Sequence, residues 1–359
     1  MLHVVHELAS SDFSGRARRW ATGLALATAG ILTTQPLFAQ TLPWTRVEVV
    51  PPSDVFSLHH QDTTLYAGTS TIVFMGANEG TSWTPTAEVD TAATAIEAVL
   101  SAGGALWVGT FGNGVFRSAN NGSSWQPVDA GLTGLGSDDI TELVEKSAKL
   151  YAGSSGAGIF VLDLGTPNQW SEFNAGLPVD IAGTIGALAL HGTTLVAPAG
   201  PNGFVYRFPE GATQWQEVPI VPPFIPGQLT FDLITSAEDL FIATSAGVYR
   251  SQDDALTWTF ASSGLVHSAP IFLTADGSNL FAGIDFLGNN HRLYRSADRG
   301  DSWQQIDEIS GIFLYAIAVA GDKLFAARND GLWWTPLATT GVSPSNWAGF
   351  KARYKRGSK

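Results

Sequence analysis

The sequence predicts an all-β protein, a single seven-bladed β-propeller with four-stranded antiparallel blades, the last of them closed by the N-terminal strand. Three features predict it. A short apolar segment occurs seven times, starting at Leu65, Leu106, Leu150, Leu195, Leu240, Leu280 and Leu324, at intervals of 41, 44, 45, 45, 40 and 44 residues. That period suits four-stranded propeller blades, whereas two-helix repeats of similar length would space their apolar residues by three and four. A Trp follows the first six segments, at Trp83, Trp125, Trp170, Trp215, Trp258 and Trp303, and polar turns rich in Asn, Asp and Gly separate the apolar runs.

The second unit shows how one repeat becomes a blade. Ile96 to Leu100, Leu106 to Thr110, Gly114 to Ser118 and Trp125 to Val128 read as four successive strands. Gly103-Gly104, Gly112-Asn113-Gly114 and Asn120-Asn121-Gly122 punctuate them, supplying the positive φ that tight turns need. The seventh unit has no following Trp in blade register, and the missing member lies upstream, where Trp44-Thr45-Arg46-Val47 matches Trp125-Gln126-Pro127-Val128. Pairing the N-terminal strand with the segments Leu314 to Ala320, Leu324 to Ala327 and Leu332 to Thr335 removes the two open edges that an unclosed ring would expose.

Outside the ring, residues 1–39 read as a signal peptide. Arg16, Arg18 and Arg19 precede an apolar run from Trp20 to Leu32, with Ala39 near the cleavage point. The run is shorter than the ~20 residues a membrane span needs, so no stable membrane insertion is expected after cleavage. Localisation to the periplasm, the cell surface or the medium of a bacterium follows. Residues 40–337 form the propeller and 338–359 a basic, disordered tail carrying Lys351, Arg353, Lys355, Arg356 and Lys359. The chain has no Cys, which removes disulfides and thiolate chemistry. Residues 40–337 hold 11 basic and 30 acidic residues, and such a surface repels nucleic acid and anionic membranes.

Ser118-Ala119-Asn120-Asn121-Gly122-Ser123-Ser124-Trp125, Ser251-Gln252-Asp253-Asp254-Ala255-Leu256-Thr257-Trp258 and Ser296-Ala297-Asp298-Arg299-Gly300-Asp301-Ser302-Trp303 resemble the Asp-box, or BNR repeat. Gly76 to Trp83, with Asn78, is a degenerate fourth copy, while the turns before Trp170 and Trp215 keep only the Trp. In such a turn the Asp or Asn accepts backbone N–H groups and the Trp covers the corner, so its role is structural. The resemblance covers residues 44–337 and implies kinship with the Asp-box propellers of exported bacterial proteins, among them sialidase-like, sortilin-like and photosystem II assembly-factor-like members. These have diverse activities on one fold, so function must be sought in side chains.

Antiparallel strands put the turns after strands one and three on one rim, with the Asp-boxes, and the turns after strands two and four on the other. Ligand contacts are expected on that second rim, from Phe111, Asp139, His267, Asp285, Phe286, His291, Arg292 and Arg328, in loops and inter-blade connections. A glycoside hydrolase would draw two facing carboxylates from Asp138, Asp180, Asp232 and Asp285. Arg117, Arg207, Arg250 and Arg295 share one third-strand slot, so repetition explains them better than a sialidase arginine cluster does. His59, His60 and Asp62 read as a polar turn on the box rim, and no metal site or cofactor is expected. The primary expectation is a monomeric, non-enzymatic binding or scaffold module for a protein or glycan. The alternatives are the hydrolase and an assembly factor of a membrane complex.

Overall fold

A computed structural model describes residues 42–337 except 94, 135, 179–184, 200–203, 220–228, 237–238, 266–269, 278 and 286–289, all within the unit Ala39–Lys359. The described residues form seven four-stranded antiparallel sheets, as the repeat predicts. The innermost strands are Ser57–Gln61, Ile96–Ala102, Ile140–Lys146, Ala189–His191, Thr230–Ser236, Pro270–Asp276 and Leu314–Ala320, for blades 1 to 7. Each touches the next, and the seventh touches the first, which closes the ring. The last blade is completed by Thr45–Arg46, paired to Gly331–Pro336 through Thr45↔Trp334 and Arg46↔Trp333.

The core lies between blades. Alternating residues of the second strands, such as Leu65 and Ala67, Leu150 and Ala152, or Phe325 and Ala327, are fully buried. Val47, Val50 and Val55 from the chain start join the cluster formed by blades 7 and 1, so closure buries apolar surface as well as pairing an edge.

The Trp residues do more than cover their own turns, which corrects the sequence expectation. Only Trp83, among those with a described indole partner, bonds its own turn, at Gly80 O, 3.0 Å away. Trp125, Trp170, Trp215 and Trp303 instead donate their indole N–H to a carbonyl of the preceding blade, at Ala87, Val128, Phe173 and Ala261, over 2.7–3.2 Å. In each case the acceptor lies one or two residues beyond the last strand of the neighbouring blade, so the bond ties adjacent blades together. A second repeated contact fixes the same junction: Trp170, Trp215 and Trp303 donate backbone N–H groups to Ala130, Ala175 and Ser263. The following Gly131, Gly176 and Gly264 have φ of 91°, 90° and 93°. A Cβ on any of them would overlap the carbonyl oxygen of that Trp, so only glycine fits.

Candidate functional site

The rim bearing the Ser-x-Asp turns is structural. At Asp253, Oδ1 accepts the Ser251 hydroxyl (2.9 Å) and the Thr257 N–H (2.8 Å), and Oδ2 accepts the Thr257 hydroxyl (2.6 Å). Burial pushes this carboxyl's pKa up, but the hydrogen bonds outweigh it and hold the group below its ordinary value. Asp298 repeats the pattern with Ser296 and Ser302, whereas Asn120 accepts the Ser118 hydroxyl and the Ser124 N–H at Oδ1 and donates from Nδ2 to the Ser124 hydroxyl. In Asn121, Asp254 and Arg299, the residue after the Asp or Asn, φ is 54–59°. This left-handed residue keys into the preceding blade: Asp254 Oδ1 lies 2.7 Å from His191 Nδ1, and Arg299 binds Asp239 with both nitrogens at 2.5 and 2.7 Å. Two of the repeated arginines serve the same junction, Arg207 donating to Asp254 O (2.9 Å) and Arg250 to Arg299 O (2.8 Å), while Arg295 donates to Asn279 Oδ1 (2.8 Å) of its own blade.

Polar residues of the inner strands are also engaged between blades. An inner strand presents one unpaired edge to the channel, and side chains of the preceding blade satisfy it. Ser57 donates to Ile96 O (2.7 Å), Gln61 exchanges two bonds with the Ser101 backbone (both 2.8 Å), and Thr141 donates to Ile185 O (2.8 Å). His59 Nε2 sits 3.0 Å from Glu97 O, and His60 Nε2 sits 2.9 Å from Glu79 Oε2, so the two histidines take up separate partners. Among the described residues, no group of three or more His, Cys, Asp or Glu is placed to hold a metal ion.

On the opposite rim, Asp232 is on the inner strand of blade 5, not in a connection. One carboxylate oxygen accepts the Leu233 N–H and the other the Leu273 N–H of blade 6, both at 2.8 Å. Asp285, His291 and Arg292, expected in a loop or connection, lie in strands, where Ile284 pairs with Arg292 and Asp285 with His291. His291 is 3% exposed, and Leu314 N–H donates to its Nε2 (3.1 Å), which leaves the ring proton on Nδ1. Burial lowers its pKa to about 4. Arg292 pairs with Glu308 (3.2 Å), and Arg328, buried, grips Asp330 with two bonds of 2.8 and 2.9 Å while lying 4.4 Å over the Trp333 ring.

Asp138 is exposed and Phe111 half-buried, each beside a turn of this rim. Asp139 Oδ2 accepts the Ser155 hydroxyl (3.1 Å). Asp180, His267 and Phe286 lie outside the described residues, and Asp285 is placed by its backbone alone. Two features of this rim were not anticipated. Five inner strands carry a β-bulge at the same level, near their first residue, at Glu97, Thr141, Phe231, Ile271 and Tyr315. Tyr315 stacks tilted on Phe56 (5.1 Å) and donates to Asp54 Oδ1 (3.1 Å). Burial, then the Asp54 charge, pushes its hydroxyl pKa well up. The other feature is charge segregation. All basic residues of blades 1 to 5, namely Arg117, Lys146, Lys149, Arg207 and Arg250, sit in strand ends or hairpins of the box rim. The bulged rim of those blades therefore carries Asp54, Asp90, Asp138 and Asp139 with no Lys or Arg.

No protein-family model matches the sequence, and no curated protein matches it. Solved structures share its fold. YCF48 from Cyanidioschyzon merolae superposes with a TM-score of 0.62 at 16% identity, covering 82% of this chain and 98% of that one. The GH74 enzyme of Niastella koreensis gives 0.62 at 14% identity, with 80% of this chain matched to 53% of that one. The extracellular domain of the putative one-component system BT4673 from B. thetaiotaomicron gives 0.63 at 15%, covering 83% and 40%. At these identities the likeness is one of fold alone.

Proposed function

We propose that this chain is an exported, monomeric, non-enzymatic binding module that takes a protein partner on the bulged rim, and that it belongs with the Asp-box propellers. The observation that carries the reading is the bulge repeated at one level of five inner strands. A bulge aims an extra residue away from the ladder, and bulges gather where a rim meets a ligand. The rim's carboxylates, without a cation in blades 1 to 5, favour a partner presenting basic side chains over an anionic one. A solved structure described as YCF48 bound to D1 peptide is similar in fold (TM-score 0.60, 15% identity), which supports a peptide-binding role for such a ring.

Hydrolysis is the weaker reading because Asp232, one of its candidate acids, is engaged: its carboxylate holds two backbone N–H groups and so serves the scaffold. The test is to screen the full chain against peptide libraries and glycan arrays, then to measure Kd for the best ligand. Phe111→Ser and Asp138→Lys should each weaken binding at least about tenfold, while Asp253→Ala on the box rim leaves it unchanged. A screen with no ligand at high micromolar concentration, or affinity that tracks Asp253 instead, would overturn the assignment.

A further inference from the structure

On the box rim, the junction between blades 3 and 4 differs from its neighbours. Between blades 4 and 5 the left-handed Asp254 fills the gap against His191, and between blades 5 and 6 Arg299 fills it against Asp239. Between blades 2 and 3, Leu164 packs where a Cβ on Gly103 would point. Blade 4 lacks the Ser-x-Asp turn and has Glu210-Gly211-Ala212 instead. Gly211 has φ 77° and no side chain to offer, and Gly192 in the first hairpin of the same blade is equally bare. A Cβ on either would meet nothing within 4 Å. What remains is a cleft of about 280 Å³ lined by Glu145, Lys146, Leu190, Thr193 and Glu210 together with Ser147.

The lining chemistry is specific. Lys146 is half-buried and lies 6.0 Å from the Phe208 ring centroid. Among the described residues neither Lys146 nor Glu145 nor Glu210 makes an ion pair or side-chain hydrogen bond, although Glu210 is near enough to act on Lys146 electrostatically. Burial lowers the ammonium pKa and Glu210 opposes that shift. The hairpin holding Lys146 is also strained: Ser147 and Ala148 sit at φ 52° and 57°, where the corresponding hairpin of blade 2 has Gly103 and Gly104. Two consecutive left-handed non-glycine residues persist only where their surroundings require them.

We propose that this cleft binds a single neutral sugar ring, with Glu145 and Glu210 accepting from its hydroxyls, Lys146 donating to them, and Leu190 meeting its apolar face. An anion would face two carboxylates and a cation would face the ammonium, whereas a neutral polyol engages all three groups at once. The volume of about 280 Å³ falls just below the usual range of ligand pockets, roughly 300 to 1,000 Å³, so one ring fits better than a chain. This site is on the rim opposite the proposed protein ligand, and its fate is independent of that reading.

The experiment is ligand-observed saturation-transfer NMR on the full chain. Methyl β-glucopyranoside, methyl α-mannopyranoside and N-acetylglucosamine are the neutral probes, and glucuronate and glucosamine the charged ones. At least one neutral probe should saturate with a Kd of roughly 1–10 mM, and Glu210→Gln should weaken it at least about tenfold. Gly211→Asn, which puts a side chain tolerant of left-handed φ into the gap, should abolish binding without lowering Tm. Absence of saturable signal from every neutral probe, tighter binding of a charged probe, or unchanged affinity in a folded Gly211→Asn or Glu210→Gln variant would overturn the proposal.

Discussion

Replacing Trp44 by Phe tests the ring closure at a single hydrogen bond. In blades 2, 3, 4 and 6 the repeated Trp donates to a neutral backbone carbonyl, but Trp44 donates to the Asp307 carboxylate of blade 6 at 2.6 Å. Asp307 is 3% exposed, and its pKa is raised, first by burial, with the Trp44 bond pulling the other way. Removing the indole N–H leaves a buried carboxylate short of a charge-assisted donor, a loss of about 2 kcal/mol at neutral pH. For roughly 300 ordered residues that corresponds to a Tm lower by about 3 °C. The pH dependence separates this from lost packing. A raised folded-state pKa means that stability is fully present below the unfolded value and falls as pH rises through the folded one. Without the indole the folded pKa rises further, so the deficit of the variant should be full at neutral pH and shrink as pH falls into the carboxylate range. Trp170→Phe is the control, because its acceptor, Val128 O, cannot titrate. Calorimetric Tm values for both variants across pH decide it. Equal deficits at neutral and acid pH for Trp44→Phe, or none at all, would refute the reasoning.

Three further outcomes follow from the junctions between blades. His291 has a folded-state pKa of about 4 against 6.5 in the unfolded chain, so as pH falls from about 6.5 to 4 the unfolded state takes up the proton first. Urea unfolding should show about 3 kcal/mol of stability lost across that window, and His291→Asn should flatten it. Arg299→Ala strands the buried Asp239 carboxylate, and because Arg299 is 44% exposed the expected loss is about 2 kcal/mol rather than the larger figure for a fully buried pair, read as a Tm shift. Gly131→Ala places a methyl against the Trp170 carbonyl at φ 91°, and soluble yield and Tm should both drop, whereas Gly211→Ala should be mild because its Cβ meets open space.

Blade number, strand order and closure were legible because each is repeated: a register read in one unit is checked by six others, and the absent seventh Trp could be traced to Trp44. Trp44↔Asp307 itself was not legible, since the residues are 263 positions apart and Asp307 departs from the backbone acceptor used elsewhere. The close approach that demands glycine at Gly131, Gly176 and Gly264 was not legible either, since it depends on the Trp backbone of the next blade. Candidate site residues were the least legible, for a physical reason. A propeller leaves the channel edge of every inner strand unpaired, and polar side chains are needed there merely to complete the backbone's hydrogen bonds. Asp232, His59 and His291 are chemically suited to binding, and in the fold they hold neighbouring blades together.

The same logic inverts the search for function. Where repetition explains a residue, its chemistry is committed to the ring, so departures from the repeat are the informative positions. Blade 4 departs by losing its Ser-x-Asp turn, and the result is an open cleft with three charged side chains that make no ion pair among the described residues. The bulged rim departs in charge, with every cation of blades 1 to 5 on the far side. A ring held together by short contacts between adjacent blades can tolerate such local losses, since each junction depends mainly on its two neighbours. Binding surfaces can therefore arise at one junction without weakening the closure made by Trp44 on the other side of the ring.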